Sequence, residues 1–337
     1  MSLLVTGSIG IDTVETPFGR VENVLGGSAI YFSLAASLFT PVRMVGVVGE
    51  DFDLTLLEPL RRKGVDVSGV EVRRGSRTFR WTGRYTGAMN EAQTVDVSLN
   101  VLAERGAALP PAFADSRYLF LANTHPALQR EFAGRLPAAD LIMADTMDLW
   151  INNEPAELRK TLAVVHGLVL NEGEARLLTG KTNLVTAGRE ILRLGPRFVM
   201  IKKGEHGALL VSGDDLFFMP PYPTEEVRDP TGAGDSFTGG VMGYLAAQAH
   251  CGAPALPAGA GATTAAATRP GGASRALPCT RTELRAAMAR GTVTASFVLE
   301  SFSIDALARV TPADVERRLG TLRSLVGFDP TIVPEPR

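Results

Sequence analysis

Residues 227–240 read VRDPTGAGDSFTGG. The chain leaves a turn at Asp229-Pro230, passes through Thr231-Gly232-Ala233-Gly234, presents Asp235 and enters a run of small residues with helical character. Glycines at such a start let backbone N–H groups crowd around an anion, and the helix macrodipole favours negative charge there. The Asp235 carboxylate falls beside that anion position. A structural role gives little reason to place an acid at this point, whereas phosphoryl transfer needs an anion cradle and a base side by side. An aspartate of ordinary pKa is ionised at neutral pH, so Asp235 is expected to accept a proton without special tuning.

Upstream, short apolar strands alternate with helices. Strands are expected at 198–202 and 208–211, joined by the turn Lys203-Gly204-Glu205-His206-Gly207. A strand at 168–170 runs into Asn171-Glu172-Gly173-Glu174 and a helix stopped by Gly180, with a further helix at 184–194. Strands at 118–122 and 141–144 flank a helix near 127–136. At the N-terminus a strand at 3–7 ends in Gly7-Ser8-Ile9-Gly10, with Asp12 just beyond. A carboxylate past the carboxyl end of a first strand lies where open α/β sheets bind ligands, although a turn or cap aspartate explains it as well. Gly26-Gly27-Ser28 opens an apolar helix at 29–38; the glycine pair is a hinge, a close approach to substrate or an ordinary loop before a Ser N-cap. A buried strand at 42–48 and an amphipathic helix at 54–63 follow, completing the βαβα rhythm of a parallel sheet.

Two stretches break that rhythm. From 70 to 100 large and polar residues alternate, as in 78–85 (TFRWTGRY), which predicts a small sheet inserted beside the main one as a lid, or extra edge strands of the main sheet. Residues 252–277 are dominated by Ala, Gly, Pro and Thr and bury little, reading as a flexible loop or a poor helix. A helical pattern resumes at 284–300, and Thr311-Pro312-Ala313-Asp314 starts a last helix.

A chain of 337 residues with 45% hydrophobic content buries a large core. The net charge of -2 gives no electrostatic reason for a nucleic-acid or anionic-membrane partner. No apolar run approaches a membrane span and MSLLVTGSIG lacks a charged leader, so a cytoplasmic protein is expected. Cys251 and Cys279 form no CxxC pair. Residues 175–182 (ARLLTGKT) imitate a P-loop but follow a helix rather than preceding one. No dinucleotide fingerprint follows a strand, no GxSxG elbow occurs, and the histidines lack metal spacing. What remains is three polar clusters, each after a strand: Asn171/Glu174, 203–207 and 231–235. Taken singly, Asn171 is as well explained as a helix cap and KGEHG as a hairpin turn; an acid and an amide three apart can also order the waters of a Mg2+ ion.

In this order the clusters resemble the ribokinase-like (PfkB) carbohydrate kinases. The specific carrier is DPTGAGDSFTGG, supported by Asp12, Gly26-Gly27, Val48-Gly49-Glu50-Asp51, the NxxE of Asn171 and Glu174, and the KGxxG of 203–207. The resemblance, which runs over about 3–245 and loosely beyond, implies a three-layer α/β/α kinase domain over 1–337 with a mostly parallel central sheet and a small β lid from 70–100; the Ala/Gly-rich stretch at 250–280 departs from the family and is read as an inserted loop, the alternative being that the late helix is an extension. It implies ATP and Mg2+ as cofactors, with K+ as a further candidate. Asp235 would be the general base and the backbone of Gly232, Ala233 and Gly234 the anion hole. Asn171 and Glu174 would order Mg2+, Glu174 through water; Lys203, Gly204, Gly207 and Thr231 would border the nucleotide. Asp229 and Thr231 are the candidates for a monovalent cation. Asp12, Gly26 and Gly27, with Arg84, would meet the substrate, and the lids of two chains could pair into a homodimer.

The sequence departs from the family after the glycine pair, where 26–32 (GGSAIYF) lacks the Asn that often touches the sugar. Ala266, Thr268, Arg269 and Gly271 are similar to the ribokinase stretch near the cation and adenine, yet 287–300 also resembles a late helix of the family. The expected activity is phosphorylation of a hydroxymethyl group on a sugar or sugar-like compound. The alternatives are a nucleoside kinase, with Trp81, Tyr85, Tyr31 and Phe32 either stacking a base or packing the core, and a sugar-binding regulator without turnover.

Overall fold

The structure is a computed structural model and describes residues 2–248 and 277–327. Its frame is a nine-stranded sheet in the order β13-β12-β11-β10-β9-β8-β1-β4-β5. In chain order these strands are β1 (Leu3–Thr6), β4 (Val42–Gly49), β5 (Val65–Arg73), β8 (Tyr118–Leu121), β9 (Leu141–Asp145), β10 (Gly167–Asn171), β11 (Phe198–Lys202), β12 (Ala208–Ser212) and β13 (Asp215–Met219). Pairing is parallel from β5 to β11 and antiparallel at β11–β12 and β12–β13. The order reverses at β1, which has β4 on one side and β8 on the other. The crevice outside the carboxyl ends of strands at such a reversal is where open α/β sheets bind ligands.

Both faces of the sheet are covered, which is why its strands are apolar without alternation. Leu3 and Val5 face a layer containing α1 (Ser28–Ala36), α2 (Glu58–Arg62), α8 (Ala233–Gln248), α9 (Arg281–Val298) and α10 (Pro312–Val326). Leu4 faces the opposite layer, with α3 (Pro126–Gly134), α4 (Asp148–Asn153), α5 (Pro155–Leu162), α6 (Glu172–Thr179) and α7 (Leu184–Arg193). Each fully buried Leu, Val or Phe contributes about 1.5–3 kcal/mol relative to exposure. The protein has the three-layer α/β/α architecture expected. Gly180 stops α6 in the left-handed region (φ 68), which disposes of the P-loop imitation in 175–182.

The small residues of α8 are explained by what lies on either side. A Cβ on Gly239 would sit 2.5 Å from the Phe32 carbonyl of α1, and one on Gly240 would sit 2.8 Å from Thr294 Oγ1 of α9. The helix is wedged between α1 and α9 at backbone distance, and this fixes its N-terminus over the crevice.

A second sheet, ordered β3-β2-β6-β7, comprises β2 (Gly10–Thr16), β3 (Gly19–Gly26), β6 (Phe79–Tyr85) and β7 (Ala92–Ser98). Half of it therefore comes from residues before α1. Asp12 is a strand residue within β2, not a turn or cap aspartate. The boundary expected at residue 70 also moves, because β5 belongs to the central sheet as far as Arg73. The period of two is blurred in β2, where Gly10, Ile11 and Asp12 are all buried at the root of the lid. The inserted loop expected at 250–280, with Ala266–Gly271, lies outside the described residues except for its last positions; the late helix expected at 287–300 overlaps α9, which begins earlier at Arg281 and ends at Val298. No described helix is long and apolar enough to cross a membrane.

Candidate active site

Three segments converge at the crevice: the start of α8, the carboxyl ends of β9 to β11, and the inner face of the lid. At the start of α8, Gly232 has φ 76, and a Cβ there would fall 2.2 Å from the Tyr31 ring beneath it. Only glycine fits. The Ala233 N–H does not face the crevice as a free donor, because it closes a turn onto the Pro230 carbonyl at 3.2 Å. The Gly234 N–H belongs to the first turn, where α-helical amides have no intrahelical acceptor.

Asp235 stands in that first turn. Desolvation and the nearby Asp145 carboxylate raise its pKa to about 7, with Lys202 opposing the shift. The expectation of an untuned aspartate is corrected by this surrounding. Lys202, the last residue of β11, places Nζ 3.2 Å from Asp145 Oδ2 at the end of β9. The same ammonium lies 2.8 Å from where a Gly234 Cβ would stand, so Gly234 is required to make room for it. Although desolvation lowers the Lys202 pKa, the charges of Asp145, Glu174 and Asp235 raise it overall, and the ammonium stays charged.

Glu174 and Asn171 form a reciprocal capping box on α6: the Asn171 N–H donates to Glu174 Oε2 at 2.7 Å, and the Glu174 N–H donates to Asn171 Oδ1 at 2.8 Å. Desolvation, then Asp145, raises the Glu174 pKa to about 7, while Lys202 and the Asn171 N–H pull it down. The cap explanation for Asn171 thus holds. It also fixes where Glu174 points.

Of the adjacent lysines, the sequence pointed to Lys203, and the structure sets Lys202 beside Gly234. Lys202 is the last residue of β11, and Lys203 already belongs to the turn that follows. Lys202 reaches Gly234, whereas Lys203 lines an outer groove with His206, Glu172, Arg176 and Phe218. Gly204 (φ 53) and Gly207 (φ 80) shape the intervening turn, and a Cβ on Gly207 would lie 2.0 Å from the Met219 carbonyl.

On the lid, Asp12 is 4% exposed and its Oδ1 has no hydrogen-bond partner. Desolvation, with the charges of Asp229 and Asp235, raises its pKa to about 7. A Cβ on Gly26 would fall 1.8 Å from Asp12 Oδ2, and Gly27 (φ 102) would clash with the Ser8 carbonyl. The glycine pair is therefore a close approach that lets the Asp12 carboxyl lie over β3. Asp229 is fully buried and accepts the N–H groups of Thr231 at 2.9 Å and Ser303 at 3.0 Å. Thr231 Oγ1 donates to Tyr85 Oη at 3.2 Å.

Arg84 is placed elsewhere. The parallel register of β2 with β6 sets Asp12 opposite Trp81 and Glu15 opposite Arg84. Arg84 therefore lies on the other face from Asp12, paired with Glu15 at 3.1 Å. Sequence reasoning missed Asp145 and Lys202. The signal for Asp145 was present, since it ends an apolar strand at its carboxyl edge, the rule applied to Asp12.

Comparison with known proteins decides the family. A model of the pfkB family carbohydrate kinases matches residues 3–305. The chain belongs to that family. A cytidine kinase of Thermococcus kodakarensis is 29% identical over 253 residues, 72% of this chain and 88% of the relative. A fructokinase of Klebsiella pneumoniae is 26% identical over 266 residues, 72% of this chain and 84% of the relative. Among solved structures, a Burkholderia thailandensis nucleoside kinase in complex with inosine superposes with a TM-score of 0.70 at 18% identity, covering 97% of this chain and 100% of its own. The protein is an ATP-dependent kinase of the ribokinase fold, and its substrate class is nucleoside or sugar.

Proposed function

We propose that this kinase moves the γ-phosphoryl group of ATP to a primary hydroxyl of a sugar, free or carried by a nucleoside, held between Asp12 and Asp235. The observation that carries this reading is the unpartnered Oδ1 of buried Asp12, on the same face of the second sheet as Tyr85, whose hydroxyl meets Thr231. A buried acceptor without a donor costs about 1–3 kcal/mol, and a substrate hydroxyl supplies the donor.

Asp12 accepts hydrogen bonds from ring hydroxyls and so orients the sugar. Asp235 takes the proton of the attacking hydroxyl as the new O–P bond forms and the bond from the γ-phosphorus to the β-phosphate oxygen breaks, releasing ADP. The N–H groups of Gly232 and Gly234 receive the phosphoryl oxygens, and the Lys202 ammonium beneath Gly234 offsets their charge. Asp145 positions Lys202.

Among the described residues no three His, Cys, Asp or Glu side chains are arranged to hold a metal directly. Asp145, Glu174 and Asp235 nevertheless crowd negative charge around Lys202, and Glu174 and Asp235 are both pushed to about 7. That donor set fits Mg2+ held through water and the nucleotide phosphates, with Glu174 as the protein contact. Mg2+ there would supply neutralisation of the phosphate oxygens.

The test is ADP release from ATP and Mg2+ over a panel of sugars and nucleosides, for the native enzyme and Asp235→Asn. Turnover with at least one acceptor, lost on the order of 10²–10⁴-fold in the variant with ATP binding retained, is the expected result. Near-native kcat in Asp235→Asn sinks the assignment. Ligand binding without ADP release over the whole panel selects a non-catalytic regulator.

A further inference from the structure

We propose that the lid carries a nucleobase platform, the Trp81 indole laid over Gly83, and that the physiological acceptor is a nucleoside rather than a free sugar. This rests on the placement of the acceptor sugar between Asp12 and Asp235. Of the four aromatic side chains that the sequence offers for stacking, three are committed elsewhere, and Phe79, on the same face of β6 as Trp81, lies against Gly10 of β2. Phe32 is fully buried and stacked on Phe120 at 4.4 Å. Tyr31 is 2% exposed and floors Gly232, and Tyr85 is 8% exposed with its hydroxyl on Thr231.

Trp81 alone of the four is half-buried rather than buried. Val14, Tyr85 and Met89 pack against it. A Cβ on Gly83 would land 2.0 Å from the indole six-membered ring, so the ring lies flat on the sheet over that glycine. Nε1 donates to Thr94 Oγ1 at 3.2 Å, which satisfies the polar edge and fixes the ring in its plane. The register pairs Trp81 with Asp12, so the two side chains stand on the same face of adjacent strands, about 5 Å apart. A sugar whose hydroxyls are held by Asp12 leaves the indole to whatever the sugar carries. A flat aromatic surface one strand away suits a base, and base–aromatic stacking contributes about 1–3 kcal/mol, roughly ten- to hundredfold in affinity.

The chain has two tryptophans, Trp81 and Trp150, so Trp150→Phe makes Trp81 the sole reporter. Without ATP, cytidine, inosine and adenosine are titrated against ribose and fructose while indole fluorescence is read. Saturable quenching by a nucleoside and none by either sugar is expected. In the otherwise native chain, Trp81→Ala should raise KM for the nucleoside ten- to hundredfold and leave KM for ATP unchanged, and Trp81→Phe should recover most of the loss. If Trp150→Phe folds poorly, the difference in quenching between the native chain and Trp81→Phe gives the same reading. Quenching by nucleosides with no turnover of any acceptor upholds the platform and overturns the kinase mechanism. Turnover of free sugars with no nucleoside binding, or an unchanged nucleoside KM in Trp81→Ala, overturns the platform and leaves the mechanism standing.

Discussion

At the scale of single residues, the site is a set of acids held away from their ordinary protonation. Asp235 must be ionised to accept a proton, and its pKa lies near 7 in the free protein. Log kcat/KM should therefore rise with pH up to about 7 and flatten above it, since kcat/KM reports the free enzyme. Lys202 lowers that pKa. Lys202→Met should move the acid limb to higher pH and cut kcat on the order of 10²–10³-fold. If Lys202 only balances Asp145, the double variant Lys202→Met/Asp145→Asn should recover activity; continued loss in the double variant assigns the ammonium to the phosphoryl group. Asp12 gives a stability test. Its folded pKa, about 7, exceeds the ordinary 3.8, so the fold binds this proton more tightly than the unfolded chain does. The stabilisation is complete below 3.8 and is lost as pH climbs through about 7. Asp12→Asn removes the charge and should raise Tm by a few degrees at pH 8, with the gain shrinking toward pH 4, while abolishing acceptor binding. A gain of equal size at both ends of that range contradicts the burial of a charge.

At the scale of elements, α8 shows what was readable and what was not. The glycine run, the acid at the helix start and the parallel rhythm of the strands are local patterns, and each appears in the structure where expected. The strands at Gly10–Thr16 and Gly19–Gly26 were not readable, because a lid strand buried at its root loses the alternation that marks a half-wet sheet. The choice between Lys202 and Lys203 was likewise beyond local pattern. It depends on which residue closes β11 against α8, a fact of packing rather than of sequence spacing. The placement of Arg84 beside Glu15 rather than Asp12 was unreadable for the same reason, one residue of register on β6. The wedge of α8 between α1 and α9 yields a paired prediction. Gly240→Val drives a side chain into Thr294 and Gly291 and should cost about 1–3 kcal/mol, read by urea denaturation. Gly320→Ala on α10 meets nothing within 4 Å and should stabilise by about 0.5–1 kcal/mol. Equal effects from the two would mean that α8 is not packed at backbone distance.

At the scale of the whole molecule, the lid is tied to the main body at both ends. At its root, Ser303 Oγ donates to the Leu25 carbonyl at 2.7 Å, and Ser303 N–H holds the Asp229 that braces Thr231. At its tip, the β6–β7 hairpin turns through Met89 (φ 54), and Asn90 Nδ2 donates to Glu205 Oε1 at 2.9 Å. Asn90 Oδ1 also lies 2.6 Å from where a Gly204 Cβ would stand. The tip of the lid thus rests on the turn after β11, the strand that delivers Lys202. In the mechanism proposed above, the second sheet closes over the acceptor with Asp12 and Trp81 on its inner face, and the tip contact with the turn belongs to that closed arrangement. Acceptor binding and the turn are coupled through one exposed hydrogen bond worth about 0.5–1.5 kcal/mol. Asn90→Ala should leave Tm within about a degree, since the bond is at the surface, and raise acceptor KM about two- to tenfold by depopulating the closed lid. Glu205→Ala should reproduce the effect, and adding it to Asn90→Ala should bring no further loss, because both remove the same contact. Additive losses from the two substitutions would show that they act separately, and that the tip does not latch the lid.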